Sequence, residues 1–409
     1  MTEQELISRV SDGFEEAKAG NALKVYNEVA PYHDAGTLPL KSHYPFAWII
    51  YYTLHQMPDG AIAERKRLLA RYLKLSVVRP HKLHSMILTE ANRLYKNARD
   101  AAFNKDDKDV VRFSIVKFST LWDLSNLRPG DWRRKEYEGK QLSSTVEKFI
   151  TLYVDELEQT REAPSQAFSD VMEKAMTEYA DSFNLMSQRA SLHILAGEND
   201  EARRLLCKAL LGAPGKFFLW SKLASLVAGR DEVRLRIALL YKALVAPGQE
   251  QFKGKVRMRL AEAWLSLDAF ARAHWELQKV KALYEANGWH LSSAFKAAWN
   301  RIPEGTAVSD PTEAYRRVEH LADDMIYASL PQVRVRKTYH KTPTAEDNAR
   351  QRYGRPAPVA WRVTDESGQN YWLQPHRFKL QADLPMGTQL MIRLHEGKPV
   401  AAELDAAAE

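Results

Sequence analysis

The chain has 409 residues and a formal net charge of +7, with 45% hydrophobic and 27% charged residues, the balance of a soluble, well-packed protein of two or three domains or one extended array. Its one cysteine, Cys207, excludes an internal disulfide and any multi-cysteine zinc site, and fits a reducing cytoplasm. The opening MTEQELISRVSDGFEEA is acidic and amphipathic, without the basic start and apolar core of a signal peptide.

Helical periodicity begins at once, and GNALKVYNEVAP predicts a further helix ended by proline. The most apolar stretch, YPFAWIIYYTL (Tyr44 to Leu54), falls far short of the roughly 20 residues that span a bilayer and reads as a buried helix. Amphipathic runs follow at 60–77, 80–103, 107–124, 143–160 and 165–182. The break NLRPGDWRRKEYEGKQ (Asn126 to Gln141) reads as a surface loop or a subdomain border. In HKLH, His81 and His84 have no accompanying glutamate of a zincin pattern, so capping or partly buried histidines are expected and no metal site. Phosphate-loop, dinucleotide and nucleophile-elbow motifs are missing, so no catalytic residue and no cofactor is expected.

CKALLGAPG (Cys207 to Gly215) is echoed by YKALVAPG (Tyr241 to Gly248), with Ala209 and Ala243 set 34 positions apart. Gly197, Ala202, Leu210 and Pro214 fall into one frame; Trp220, Leu223, Leu240, Leu244 and Pro247 fall into the next. Leu260, Ala261, Trp264, Phe270 and Ala273 begin a third. Over about 184–285 the chain resembles tetratricopeptide-repeat proteins, although Arg236 stands where a small residue is usual. The resemblance implies antiparallel helix pairs stacked into an α-solenoid, and residues 1–325 are read as one such array, with a possible internal border near 126–141. It also implies a concave protein-docking groove lined by Asn184, Ser187 and Ser191 in one unit and by Phe218, Ser221 and Ser225 in the next. The carboxylate clamp with which some family members hold peptide C-termini is absent at these positions.

After Leu330 the character changes. Between Arg334 and Arg355 seven basic residues face two acids, most of the chain's positive excess, and 331–357 reads as a basic linker. Period-two alternation then predicts four or five short strands over 358–405, with turns at Glu366-Ser367-Gly368 and Glu396-Gly397-Lys398. Tyr371-Trp372-Leu373 and the step Gly387-Thr388-Gln389-Leu390-Met391 resemble the cold-shock and OB-type small barrels, although the glycine- and phenylalanine-rich first motif of that family is missing. Tudor-like and SH3-like barrels fit the same alternation.

The expected fold is therefore mainly α, a solenoid followed by a small β-barrel. Two functional classes fit it, and they are compatible. One is a protein-docking scaffold. The other contacts RNA or single-stranded nucleic acid, with Arg334, Arg336, Lys337, Arg350, Arg352 and Arg355 on phosphates and Trp361, Tyr371, Trp372 and Phe378 offering rings for stacking. The barrel itself is not basic, with five Lys/Arg against seven acids over 358–409. The combination is similar to bacterial proteins that pair such arrays with cold-shock-like modules in stress or defence settings. The expectation is a cytoplasmic, non-enzymatic adaptor that combines both roles, without a membrane partner; the alternative is a purely protein–protein scaffold whose barrel binds a peptide or packs on the array.

Overall fold

A computed structural model describes residues 1–103, 112–227, 229, 231–349, 358–378 and 380–405. The chain divides into two compact units, Met1–Leu205 and Leu206–Glu409.

The first unit contains α1 (Glu3–Glu16), α2 (Ala22–Asp34), α3 (Leu40–Gln56), α4 (Ile62–Tyr72), α5 (Lys82–Phe103), α6 (Ile115–Trp122), a hairpin of β1 (Lys135–Tyr137) and β2 (Lys140–Leu142), then α7 (Thr145–Thr160), α8 (Gln166–Glu178) and α9 (Phe183–Leu195). Local sequence starts several of these helices. Thr2 and Ser144 close capping boxes with Glu5 and Glu147, and Ser165 and Ser182 accept from the amides of Phe168 and Leu185. The apolar run predicted as a buried helix is the middle of α3, which buries Phe46, Ile49, Ile50 and Leu54. Its last turn exposes carbonyls that need donors, and the buried Arg65 guanidinium supplies them, bonding Leu54 O at 2.9 Å and Met57 O at 3.0 Å while it pairs with Glu90.

The break at 126–141 does not separate two bodies. The Asp131 carboxylate accepts from the Arg128 amide and from Ser85 Oγ, both at 2.8 Å, Trp132 is buried, and the Tyr179 hydroxyl donates to the Trp132 carbonyl. The border between units falls instead inside α10 (Asn199–Gly212).

In the second unit α11 (Phe217–Ser225) packs on α12 (Val233–Val245), and α13 (Gly254–Leu265) on α14 (Phe270–Ala286). Trp220 and Trp264, at the expected large apolar positions, are buried. After α15 (Ser293–Asn300) the chain returns: α16 (Thr312–Tyr327) lies along α12, stacking Tyr315 on Tyr241 at 4.9 Å. Lys242 Nζ reaches Glu319 at 2.9 Å and Asp323 at 2.7 Å across the same contact. Trp264 Nε1 donates to the Tyr315 hydroxyl (3.1 Å), which donates to Glu276 (2.8 Å), a buried carboxyl also held by Arg257 at 2.9 Å. Burial pushes the Glu276 carboxyl above the usual carboxylate range.

The C-terminal quarter is an antiparallel sheet curled into a half-barrel: β3 (Gln332–Lys341), β4 (Ala360–Asp365), β5 (Asn370–Leu373), β6 (Gln389–His395) and β7 (Lys398–Leu404), with α17 (Ala345–Ala349) between β3 and β4. The order is β5-β4-β3-β6-β7, in which β6 returns beside β3, the Greek-key arrangement. The end strands β5 and β7 approach each other. Glu396 (φ 50°) and Gly397 (φ 73°) form the predicted tight turn of the β6–β7 hairpin, where glycine relieves the left-handed conformation.

One boundary is corrected. Residues 332–341 are not linker but the central strand of the sheet, because Val333-Arg334-Val335-Arg336-Lys337 already alternates in period two and finds partners on both sides.

Candidate nucleic-acid interface

Alternation sorts the side chains of the sheet onto two faces. Val335, Trp361, Val363, Leu373, Leu390 and Ile392 form the inner core. Arg334 and Arg336 project outward from β3, and Arg362 outward from β4. If alternation ran on unbroken, Tyr339 would follow Val335 and Lys337 into the core. It does not, because the register slips between Lys337 and Tyr339, which pair with the adjacent residues Val363 and Arg362. Thr338 is the extra residue of this bulge, and its hydroxyl donates to the Arg362 carbonyl at 3.2 Å and meets Thr364 Oγ1 at 2.9 Å.

The bulge turns Tyr339 outward, into one row with Arg362 and its β5 partner Trp372. Tyr339 is 45% and Trp372 56% exposed. The rings meet edge to face, 6.2 Å apart at 86°, and the Arg362 guanidinium carbon stands 5.5 Å from the Tyr339 ring centre. Two exposed rings and a guanidinium thus form a platform across three strands, flanked on β3 by Arg336 and Arg334, the latter held by Asp405 at 2.7 Å.

Beside the platform a groove of about 390 Å³ opens where the ends of β3 and β5, a short helical turn (Pro375–Phe378) and the start of β7 meet. Lys341, Trp372, Gln374, Arg377, Phe378 and Pro399 line it. Lys341 also reaches Asp347 at 3.3 Å.

The residues expected to touch nucleic acid are not brought together as a set. Arg334, Arg336 and Trp372 lie on the outer face. Trp361 is wholly buried and Lys337 nearly so; Lys337 Nζ stands 4.4 Å from the Trp361 ring centre, donates to the Leu384 carbonyl and lies 3.3 Å from His340 Nδ1. Burial holds the Lys337 ammonium below the usual lysine range. Both side chains serve the core, because their positions in β3 and β4 share the inward phase. Tyr371 is half-buried and donates to Asp365 at 3.1 Å, while Phe378 packs against the core at the groove wall. Arg350, Arg352 and Arg355 lie outside the described residues. Tyr339 and Arg362 were missed. The alternation around each was visible, but the bulge that turns Tyr339 outward was not.

The six residues expected to line a protein-docking groove also part company. Ser187 and Ser191 are buried within α9, where Ser191 Oγ donates to the Ser187 carbonyl at 3.1 Å, so they line no surface. Their phase on α9 is that of Ala190 and Met186, which belong to the interior. Asn184 is exposed, and Phe218 is half-buried beside Phe217. Ser221 accepts from Arg259 at 3.0 Å, and the exposed Ser225 donates to the Lys222 carbonyl at 2.6 Å.

Among the described residues no three of His, Cys, Asp and Glu come together as a metal site, and no helix is long and apolar enough to cross a membrane. His84 is a buried structural histidine: the Tyr72 hydroxyl donates to its Nδ1, and its Nε2–H faces the Val78 carbonyl at 3.3 Å. Cys207 is half-buried on α10. No curated protein sequence matches the chain. A family described as a domain of unknown function (DUF7017) matches residues 185–322, which takes in α11 to α15 and most of α16 and stops short of the sheet.

Proposed function

We propose that this chain is a non-enzymatic adaptor that contacts single-stranded nucleic acid, RNA or DNA, through the outer face of its C-terminal sheet and docks a protein partner on its helices. The observation that carries the reading is the row Tyr339–Arg362–Trp372, exposed across three strands with Arg336 beside it. Flat exposed rings accept bases of any sequence, and arginine supplies both phosphate neutralisation and stacking.

The strand order supports an OB-like identity for the half-barrel, since an OB-fold is a partly open five-stranded Greek-key barrel whose second and third strands bind oligonucleotides. In that frame those strands are β4 and β5, which carry Arg362 and Trp372. The connection after the first strand carries Arg350, Arg352 and Arg355. For the helices, the 34-residue echo and the helix pairs α11–α12 and α13–α14 support the tetratricopeptide-like reading. Asn184, Phe218, Ser221 and Ser225 remain the side chains offered for protein docking.

A second reading, in which the sheet packs on the helices and binds no nucleic acid, is favoured by Arg393, whose guanidinium donates to the Tyr327 carbonyl at 3.2 Å and the Ala328 carbonyl at 3.4 Å at the end of α16. The deciding experiment is a titration of the full chain against labelled single-stranded RNA and DNA at low and high salt. The proposal expects binding whose logarithm falls with the logarithm of salt by about 0.7 per phosphate contacted. No binding at low salt to either probe overturns it in favour of the second reading.

A further inference from the structure

We infer that the groove beside Trp372 is a subsite for one nucleotide of the bound strand, with its base against Trp372 and Phe378 and its phosphate between Lys341 and Arg377. The inference rests on the nucleic-acid reading above and gives it a place where base identity is read.

The groove's lining is matched to an anion that carries a flat ring. Among the described residues, two cations and two aromatic side chains line it, and no carboxylate does. A volume of about 390 Å³ lies at the small end of the range for small-molecule sites, the size of a single ring system with a phosphate. Lys341 has an acidic partner, Asp347, but that pair is open to solvent, so exchanging the carboxylate for a phosphate costs little. Trp372 belongs both to the platform and to the groove, so a strand crossing the platform is led directly into it.

The groove's wall is also set by the backbone. Pro375 is buried, and the turn that follows is tied by the Arg377 amide on the Gln374 carbonyl (2.9 Å) and the Leu380 amide on the Pro375 carbonyl (3.1 Å). This presents Gln374, Arg377 and Phe378 from one short hydrogen-bonded turn. The Gln374 amide offers a donor and an acceptor side by side, the pattern needed to distinguish base edges. Stacking on the platform's rings is tolerant of sequence, so the Gln374 amide is assigned the selection between base edges.

The test uses the full chain and labelled hexanucleotides of uridine, cytidine or adenosine alone. Arg377→Gln and Lys341→Gln should each weaken all three probes by about three- to tenfold and flatten the salt dependence by about 0.7. Gln374→Leu should leave the salt dependence intact and change the ratio between the best- and worst-bound probe by at least about threefold. Lys341 and Arg377 are exposed and Gln374 is half-buried, and unchanged circular dichroism and thermal midpoints check that the variants fold. If these variants bind all three probes like the parent while Trp372→Ala is weakened, the strand stops at the platform and the groove is no subsite, although the nucleic-acid reading stands. If the parent binds no probe at low salt, both fail together.

Discussion

The two tryptophans expected to stack on bases make opposite predictions. Trp361 is fully buried and is the one aromatic side chain among the six that form the inner core of the sheet, where its ring also carries the Lys337 ammonium at 4.4 Å. Trp361→Ala should cost about 3–5 kcal/mol, as large-to-small core changes of tryptophan do, and leave Lys337 buried without its ring. A sheet with so small a core is expected to lose its cooperative unfolding. Trp372, at 56% exposure, makes an edge contact with Tyr339, so Trp372→Ala should cost at most about 1 kcal/mol of stability. Its loss should appear in binding instead. Removal of one stacking ring is worth about 1–3 kcal/mol, or about 5- to 150-fold in Kd. Urea unfolding followed by circular dichroism measures the first quantity, and fluorescence anisotropy with labelled single-stranded RNA the second. The reasoning is refuted if Trp372→Ala binds within twofold of the parent while folded, or if Trp361→Ala is as stable as the parent.

Acid should weaken the first unit. The neutral His84 ring accepts at Nδ1 from Tyr72, and burial depresses its pKa from 6.5 to about 4. The unfolded chain therefore takes up a proton below about pH 6.5 that the folded chain refuses until about pH 4, so stability is fully present above that window and falls through it by up to about 3 kcal/mol. His84→Asn, which keeps an acceptor but does not titrate, should flatten this part of a urea-midpoint series; an unchanged slope would assign the acid sensitivity elsewhere. In the second unit, Tyr315→Phe removes the hydroxyl that serves both Trp264 and Glu276. It should lower unfolding stability by about 1–3 kcal/mol, as read by urea denaturation, and a change below about 0.5 kcal/mol would mean that the buried network contributes little beyond ring packing.

Much of the helical half is legible in the sequence, because 3.6-residue periodicity and caps are local signals. The run predicted at 80–103 is α5 at Lys82–Phe103, and the one at 143–160 is α7 at Thr145–Thr160, opened by the Ser144 capping box. The strands from Ala360 onward and the Glu396-Gly397 turn were legible for the same reason. The strand at 332–341 was hidden by its charge: a run of Arg and Lys resembles a solvated linker, and only pairing with β4 and β6 makes it a strand.

The set of local elements, the 34-residue echo between helices, and the supply of basic and aromatic residues at the C-terminal end follow from composition and period alone. Which side of the sheet each residue faces depends instead on long-range packing. The inward phase of β3 and β4 took Lys337 and Trp361 from the candidate site, and the bulge at Thr338 put Tyr339 into it. Likewise, Ser187 and Ser191 are small enough for either a groove or an interior, and the packing around α9 put them inside. The physical reason is the same in each case. Local propensity sets the period of the side chains, whereas their phase relative to the core is set by partners distant in sequence.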